Sequence, residues 1–332
     1  MKIVAFGEVM MRMMPPDYKR LSQSDELKYL YTGTGVNILS GLYQMGEEVY
    51  LSTTLPDNAV GKAGAANLRN LGIKDDYLVY HGNHIGIYFL EAGYGNRASQ
   101  VTYLNRQASS FSQSTLDNYD LDLILEGKDV LHLCGISLAM NKNTRQCALA
   151  LIKKAHEKKI KVVFDCNFRP SLWPDTSHEE IKSIYEEVLL QADIVFAGIK
   201  DAKLLLDLSC STSLNEIDEL TDLLQQMLHK YKLEAILGTR RNNNTLQGYL
   251  CSDEGLTLSK VYDLTIYDRV GGGDGFAAGA IYGLLHHDDL DHLVNFATVS
   301  GVLAHTTYGD SPVVTKDEIE DYLENGSSDI KR

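Results

Sequence analysis

Asp268-Arg269-Val270-Gly271-Gly272-Gly273-Asp274 runs directly into Gly275-Phe276-Ala277-Ala278-Gly279-Ala280-Ile281-Tyr282. Three consecutive glycines carry little weight alone, since at ~7% Gly such a run arises by chance in about one chain in ten of this length. Their setting carries more. The alanine-rich segment reads as the first turns of a buried helix, and glycines ahead of a helix let backbone N–H groups converge on an anion at its positive end. Asp274 then has two readings. A carboxylate in a first helical turn is favoured by the helix dipole whatever its function. It is also well placed to take a proton from a hydroxyl that attacks a phosphoryl group held by the glycines.

Other phosphate loops fit less well. Gly61-Lys62 is followed by Ala63 and lacks the upstream glycine spacing of a Walker A motif. Gly273-x-Gly275-x-x-Ala278 matches the loose dinucleotide fingerprint, but that fingerprint needs a strand with an acidic residue ~20 positions later. Helix-like residues continue instead through Ala304. An acid inside the loop would repel a resting pyrophosphate. Phosphoryl transfer accommodates it.

Outward from this loop, strand-like and helix-like segments alternate. Ile3–Phe6, Asp129–Leu133, Lys161–Phe164, Asp193–Phe196 and Ala235–Leu237 read as short apolar strands. Helices are expected around Thr144–Glu157, from a capping box at Ser177-His178-Glu179-Glu180 to about Gln191, and over Asn215–Tyr231. This alternation predicts a three-layer α/β/α sandwich with a mainly parallel central sheet, whose ligands sit beyond the carboxyl ends of its strands. Residues 10–35 and 86–106 break the rhythm; together they read as a small β-sheet lid on a single domain spanning 1–332.

Composition narrows the function. The 332 residues are 44% apolar and 23% charged, enough to bury a full core, and the formal charge is −14. A nucleic-acid partner is not expected, because no Lys/Arg cluster supplies the basic face that phosphate backbones require. No apolar run approaches the ~18 residues of a membrane span, and the start turns acidic too quickly for a signal peptide, so a cytoplasmic enzyme is expected. Five scattered cysteines read as ordinary buried thiols in a reducing compartment. His286-His287-Asp288-Asp289 reads as a polar loop between helices rather than a metal site.

The loop resembles the D-T-x-G-A-G-D signature of the ribokinase-like (PfkB) carbohydrate kinases, with Arg269 for Thr and Gly272 for Ala. The resemblance extends over essentially the whole chain. It implies that Gly271, Gly272 and Gly273 form an anion hole and that Asp274 is the catalytic base, with ATP and Mg²⁺ as cofactors. Gly33-Thr34-Gly35-Val36-Asn37 resembles the sugar-binding G-G-x-x-x-N element, Thr32 replacing its first glycine, which implies substrate contacts from Gly33 and Asn37. Gly309-Asp310 resembles the G-D close to the nucleotide site. The family's N-x-x-E element falls near Gly198-Ile199-Lys200-Asp201, where both signature residues are replaced.

Asp165-Cys166-Asn167-Phe168-Arg169-Pro170-Ser171-Leu172-Trp173 is similar to the D-x-N-x-R-x-x-L-W stretch of the family's 2-keto-3-deoxygluconate kinases, as are Gly7-Glu8-Val9-Met10 with Arg12 and Tyr88-Phe89-Leu90-Glu91. In that subgroup the residues matching Arg169, Tyr88, Tyr103 and Arg106 contact a sugar acid; Asn105 is the neighbouring alternative to Arg106. The chemistry agrees, because guanidinium forks pair with carboxylates. The expected reaction moves the γ-phosphate of ATP to the C6 hydroxyl of 2-keto-3-deoxygluconate. Fructose, ribose, a nucleoside or the galactonate epimer are alternative acceptors, and a silent sugar-acid sensor is the alternative from another class. Adenine is expected against Gly238-Thr239-Arg240 and the Asn295–Ala304 helix, with Gly273 beneath the phosphates. An exposed lid is a common dimer surface, so a homodimer or higher homo-oligomer is one expectation.

Overall fold

The computed structural model describes residues 1–210, 215–286 and 289–326. In chain order the strands are β1 (Lys2–Phe6), β2 (Met10–Met14), β3 (Lys28–Thr32), β4 (Glu48–Leu55), β5 (Leu78–Tyr80), β6 (Gly86–Glu91) and β7 (Gln100–Leu104). Then come β8 (Val130–Cys134), β9 (Lys161–Asp165), β10 (Ile194–Phe196), β11 (Ala235–Asn242), β12 (Thr245–Ser252), β13 (Gly255–Leu258) and β14 (Tyr262–Asp263). The main sheet has the order β13-β12-β11-β10-β9-β8-β1-β4-β5, with β14 paired to β12. From β11 to β5 every pairing is parallel; β12, β13 and β14 add an antiparallel edge.

The parallel strands are short apolar runs because both of their faces are covered. Successive side chains divide between two cores. Val4 and Phe6 join Leu131, Phe164, Val195 and Ile236 on one face, where helices Lys142–Glu157, His178–Leu189 and Glu216–Tyr231 pack. Ile3 and Ala5 join Val49, Val163, Ile194 and Leu237 on the other, under helices Thr34–Gln44, Gly272–His286 and Leu290–Ala304. The result is the three-layer α/β sandwich expected. Helix Gly272–His286 is apolar all round because it is buried against both sheet and helix. A Cβ on Gly275, Gly279 or Gly283 would come within 2.6–2.8 Å of Ala304, Ser300 or Leu293, so this glycine stripe sets the close approach of helix Leu290–Ala304.

Residues 10–14, 28–32, 86–91 and 100–104 form a separate four-stranded sheet, β3-β2-β6-β7. Its β6–β7 hairpin places Tyr88 opposite Tyr103. Several expectations are adjusted in detail. Ser177 caps its helix through Glu180 N–H, but the Glu180 side chain turns to Arg145 at 3.7 Å instead of closing a capping box. Residues 34 and 35 already belong to a helix, and β4, β5, β12 and β13 were not anticipated. Of the polar cluster at 286–289, His287 and Asp288 lie outside the described residues, while His286 bonds Glu47 at 2.6 Å. All five cysteines are free thiols, and four are buried.

Candidate active site

β1, β8, β9, β10 and the carboxyl-end side of β11 open onto one cleft of about 970 Å³, at the edge where a parallel α/β sheet binds ligands. Its volume lies at the upper end of the range of small-molecule sites. The glycine loop forms part of its floor. Gly271 has φ +92°, and a Cβ there would meet the Asp310 carbonyl at 2.0 Å; the space a Cβ would need at Gly272 is filled by the His305 ring. A Cβ at Gly273 would meet nothing within 4 Å, and the residue lines the cleft. Among the described residues no acceptor meets the N–H groups of Gly272, Gly273 or Asp274, and the first bond of this helix runs from Gly275 N–H to the Gly271 carbonyl at 2.8 Å. This is an anion cradle in physical terms.

The three glycines should respond differently to substitution. Gly271→Ala adds both strain and a backbone collision and is expected to cost about 2 kcal/mol or more. Gly273→Ala meets no atom and should leave stability unchanged or raise it by ~0.4–1 kcal/mol, while turnover falls because the methyl occupies the cradle. Thermal unfolding and turnover measured on the same two variants separate these outcomes.

Asp274 lies in the first turn of that helix, where Asn37 Nδ2 donates to its Oδ2 at 2.7 Å. Its carboxyl is pushed up to about 8, chiefly by burial; the charges of Asp165 and Asp310 add to this, and Asn37 and Arg169 oppose it. A carboxyl tuned this far is suited to proton transfer near neutrality.

Asn37 belongs to a buried chain of hydrogen bonds that begins in the small sheet. Tyr88 donates to Asp310 Oδ2, Thr32 donates to the same oxygen at 2.8 Å, and Thr32 also reaches Asn37 Oδ1 at 3.1 Å. Arg12, fully buried on β2, pairs with Asp310 and, at 2.8 Å, with Asp268 at the head of the glycine loop. Burial works against the Arg12 charge, but the two carboxylates outweigh it and hold the guanidinium above its ordinary value. Asp310 is thus tied to the small sheet through Tyr88, Thr32 and Arg12. Thr32 is more than a tolerated replacement for glycine. A lone arginine inside Met10-Met11-Arg12-Met13-Met14 was the available signal for a buried charge on this strand.

Tyr103 is half-exposed on the cleft wall, its ring 5.9 Å from that of Tyr88. Arg106 lies over the Tyr103 ring at 5.3 Å and donates through Nε to Glu8 at 2.7 Å; Ser109 fixes the other Glu8 oxygen. The terminal nitrogens of Arg106 have no partner among the described residues. Arg106 lines the cleft; its neighbour Asn105, at φ +46°, does not. Arg169 is exposed, bonded only to Asn167 Oδ1 at 2.9 Å, and has no acidic partner among the described residues. Glu8, which holds Arg106, was missed as a site residue by sequence reasoning.

At the far end Gly238, Thr239 and Arg240 line the cleft, Arg240 being held by Glu216 at 2.9 Å and Gln247 at 3.1 Å. Asn295 is not brought to it. Its carboxamide oxygen accepts from Lys260 N–H at 2.9 Å and Tyr262 at 2.8 Å, which ties its helix to the edge of the main sheet.

Residues 1–317 match the profile of the pfkB family carbohydrate kinases. The chain belongs to that family. A crystal structure from Enterococcus faecalis, of a candidate 2-keto-3-deoxygluconate kinase, is 41% identical, covers 100% of this chain and 98% of its own, and superposes with a TM-score of 0.95. The 2-dehydro-3-deoxygluconokinase of Thermotoga maritima is 34% identical over 98% of both chains, with a TM-score of 0.92. The 2-dehydro-3-deoxygalactonokinase of Haloferax volcanii is 24% identical, covering 100% of this chain and 99% of its own. The protein is thus a carbohydrate kinase of the pfkB family.

Kinases of this family use ATP and Mg²⁺. The uncapped amides suit a phosphoryl group. The described residues contain no group of three or more His, Cys, Asp or Glu side chains that could hold a metal ion. Asp201, in the region of the altered N-x-x-E element, turns back on its own loop and accepts from Gly198 N–H at 2.8 Å. Asp165 nearby is pushed up to about 7 by burial and then by the Asp201 charge. No described helix is long and apolar enough to cross a membrane.

Proposed function

We propose that this kinase transfers the γ-phosphate of ATP to the C6 hydroxyl of 2-keto-3-deoxygluconate. The observation that carries the reading is Arg169, a guanidinium on the cleft wall with no acidic partner among the described residues. In a chain of net charge −14 such a group invites an anionic ligand. The substrate carboxylate pairs with Arg169 and the terminal nitrogens of Arg106, and Tyr88 and Tyr103 flank the acyl chain. The small sheet, built from parts of 10–35 and 86–106, acts as the lid of a single ribokinase-like domain. The hydroxyl at the opposite end of the substrate meets Asp274, which takes its proton as the phosphoryl group moves. Gly271, Gly272 and Gly273 offer amides to the transferring group, and Gly33 lets the chain turn beside Asn37 at the sugar. Gly238, Thr239 and Arg240 border the nucleotide. Mg²⁺, riding on the ATP oxygens, offsets their charge.

A coupled ADP-release assay over 2-keto-3-deoxygluconate, its galactonate epimer, fructose, ribose and a nucleoside tests the substrate. Activity confined to the neutral sugars or the nucleoside would overturn the reading; preference for the galactonate epimer would keep the carboxylate contacts and reassign one hydroxyl. Arg169→Ala is expected to raise KM for the acid at least ~10-fold and leave KM for ATP within twofold. An unchanged acid KM removes Arg169 from the substrate.

A further inference from the structure

Arg241 and Arg269 stand together on the cleft wall beside Gly271 and Gly273. Neither forms an ion pair with any described residue; Arg241 makes one marginal contact, Nε to the Asn243 carbonyl at 3.5 Å. The other cleft arginines except Arg169 are paired, Arg106 with Glu8 and Arg240 with Glu216. Both bare arginines rise from fixed backbone. Arg241 pairs with Leu246 in the β11–β12 ladder, and Arg269 follows Asp268, whose carboxylate is held by Arg12, Val270 N–H and Gly309 N–H. Two guanidiniums kept close, without a carboxylate between them, repel each other. Partial burial, and then the charge of Arg269, lower the Arg241 pKa, and both arginines act on His305 beneath Gly272. An arrangement of this kind costs stability unless an anion fills it.

The position identifies which anion. Arg269 lies two residues before Gly271 in the glycine loop, and Arg241 directly follows Gly238-Thr239-Arg240 on β11, all of them lining the cleft. The chain thus carries the pair on the elements that hold the glycine-loop amides. Arg269 also stands where the family signature has threonine, so the family's loop does not supply this charge.

We propose that Arg241 and Arg269 form a clamp for the β- and γ-phosphates of ATP, with Arg269 following the γ-phosphoryl group as its charge is redistributed during transfer. The clamp rests on the kinase reading above but not on the identity of the acceptor. Bidentate guanidinium–phosphate pairing suits such a role, because arginine keeps its charge and its fixed fork. The bound triphosphate then screens the two arginines from each other.

Titration calorimetry of Arg241→Gln and Arg269→Gln with ATP, ADP and AMP, in the absence of sugar, tests this directly. Both side chains are exposed, so the variants should fold, which circular dichroism checks. Each is expected to weaken ATP at least ~10-fold and ADP less, while AMP stays within twofold. Arg269→Gln should also lower kcat by about 10²-fold, with KM for the acceptor unchanged. Equal weakening of ATP and AMP, or a shift in acceptor KM without one in ATP, would overturn the clamp. Because the binding arms contain no sugar, a wrong acceptor leaves them intact. Wild-type protein that does not bind ATP overturns both the clamp and the kinase reading.

Discussion

Asp274→Asn is expected to lower kcat by at least ~10³-fold, within the range a positioned general base contributes, while KM for ATP changes little. The substitution preserves shape and can still accept the Asn37 hydrogen bond, so the loss reports the missing base rather than a rearranged loop. Because the carboxyl is pushed up to about 8 in the free protein, the acid limb of kcat/KM should lie well above the ordinary carboxylate range. Activity rises as Asp274 loses its proton and fades as pH falls. The same shift predicts an opposite effect on stability. A carboxyl whose folded-state pKa is raised binds a proton more tightly folded than unfolded, so its ionisation costs stability as pH rises from ~3.9 toward 8. Asp274→Asn should therefore melt higher than wild type, by about 3 °C or more at pH 8.5, with the gain shrinking toward pH 5. Turnover within tenfold of wild type, or a Tm difference independent of pH, would remove Asp274 from this role.

The second large effect is expected at Arg12, buried on β2. Arg12→Met leaves Asp310 and Asp268 buried without their counter-charge, and breaking such a set by one partner costs ~3–5 kcal/mol. Urea unfolding should show this as a lowered midpoint with little change in slope. Adding Asp310→Asn and Asp268→Asn to the Arg12→Met protein should recover part of the loss, because the orphaned charges are its main cause. Turnover should fall as well, since Asp310 also holds Thr32 and Tyr88 and, through Thr32, the Asn37 that bonds the base. A single-variant loss below ~1 kcal/mol would mean that the network does not hold the small sheet to the glycine loop.

Tyr88 and Asp274 are thus connected through the Asp310 carboxylate, Thr32 and Asn37. Tyr88, on β6, is kept far from ionisation by burial and by the Asp310 charge, so its hydroxyl remains a donor at any working pH. A ligand that moves Tyr88 would disturb Asp310 before it disturbs Asp274. These bonds bring Asn37 and Thr32 to the glycine loop and Asp310, although they lie more than 200 residues away in the chain.

Much of this was legible in the sequence because it is local. Short apolar runs such as Ile3–Phe6 and Lys161–Phe164 can only be strands covered on both faces, and alternating them with amphipathic helices leaves few topologies other than a parallel sandwich. The seven residues Asp268–Asp274 set glycines ahead of a buried helix, a local pattern that leaves amides free. The antiparallel edge β12-β13-β14 was less legible, because its turns give no strong signal and its faces are unevenly buried. Other features were settled only in three dimensions. Sequence offers no measure of whether an arginine finds a carboxylate: Arg12 and Arg106 are paired, while Arg169, Arg241 and Arg269 form no ion pair with any described residue. Nor does it show that Asn295 faces a sheet edge, or that Asp310 is the common partner of Tyr88, Thr32 and Arg12. Backbone patterning follows from near neighbours, and the chain alone determined it. Charge pairing and pKa depend on groups brought together from distant positions, and the tertiary structure alone decided those.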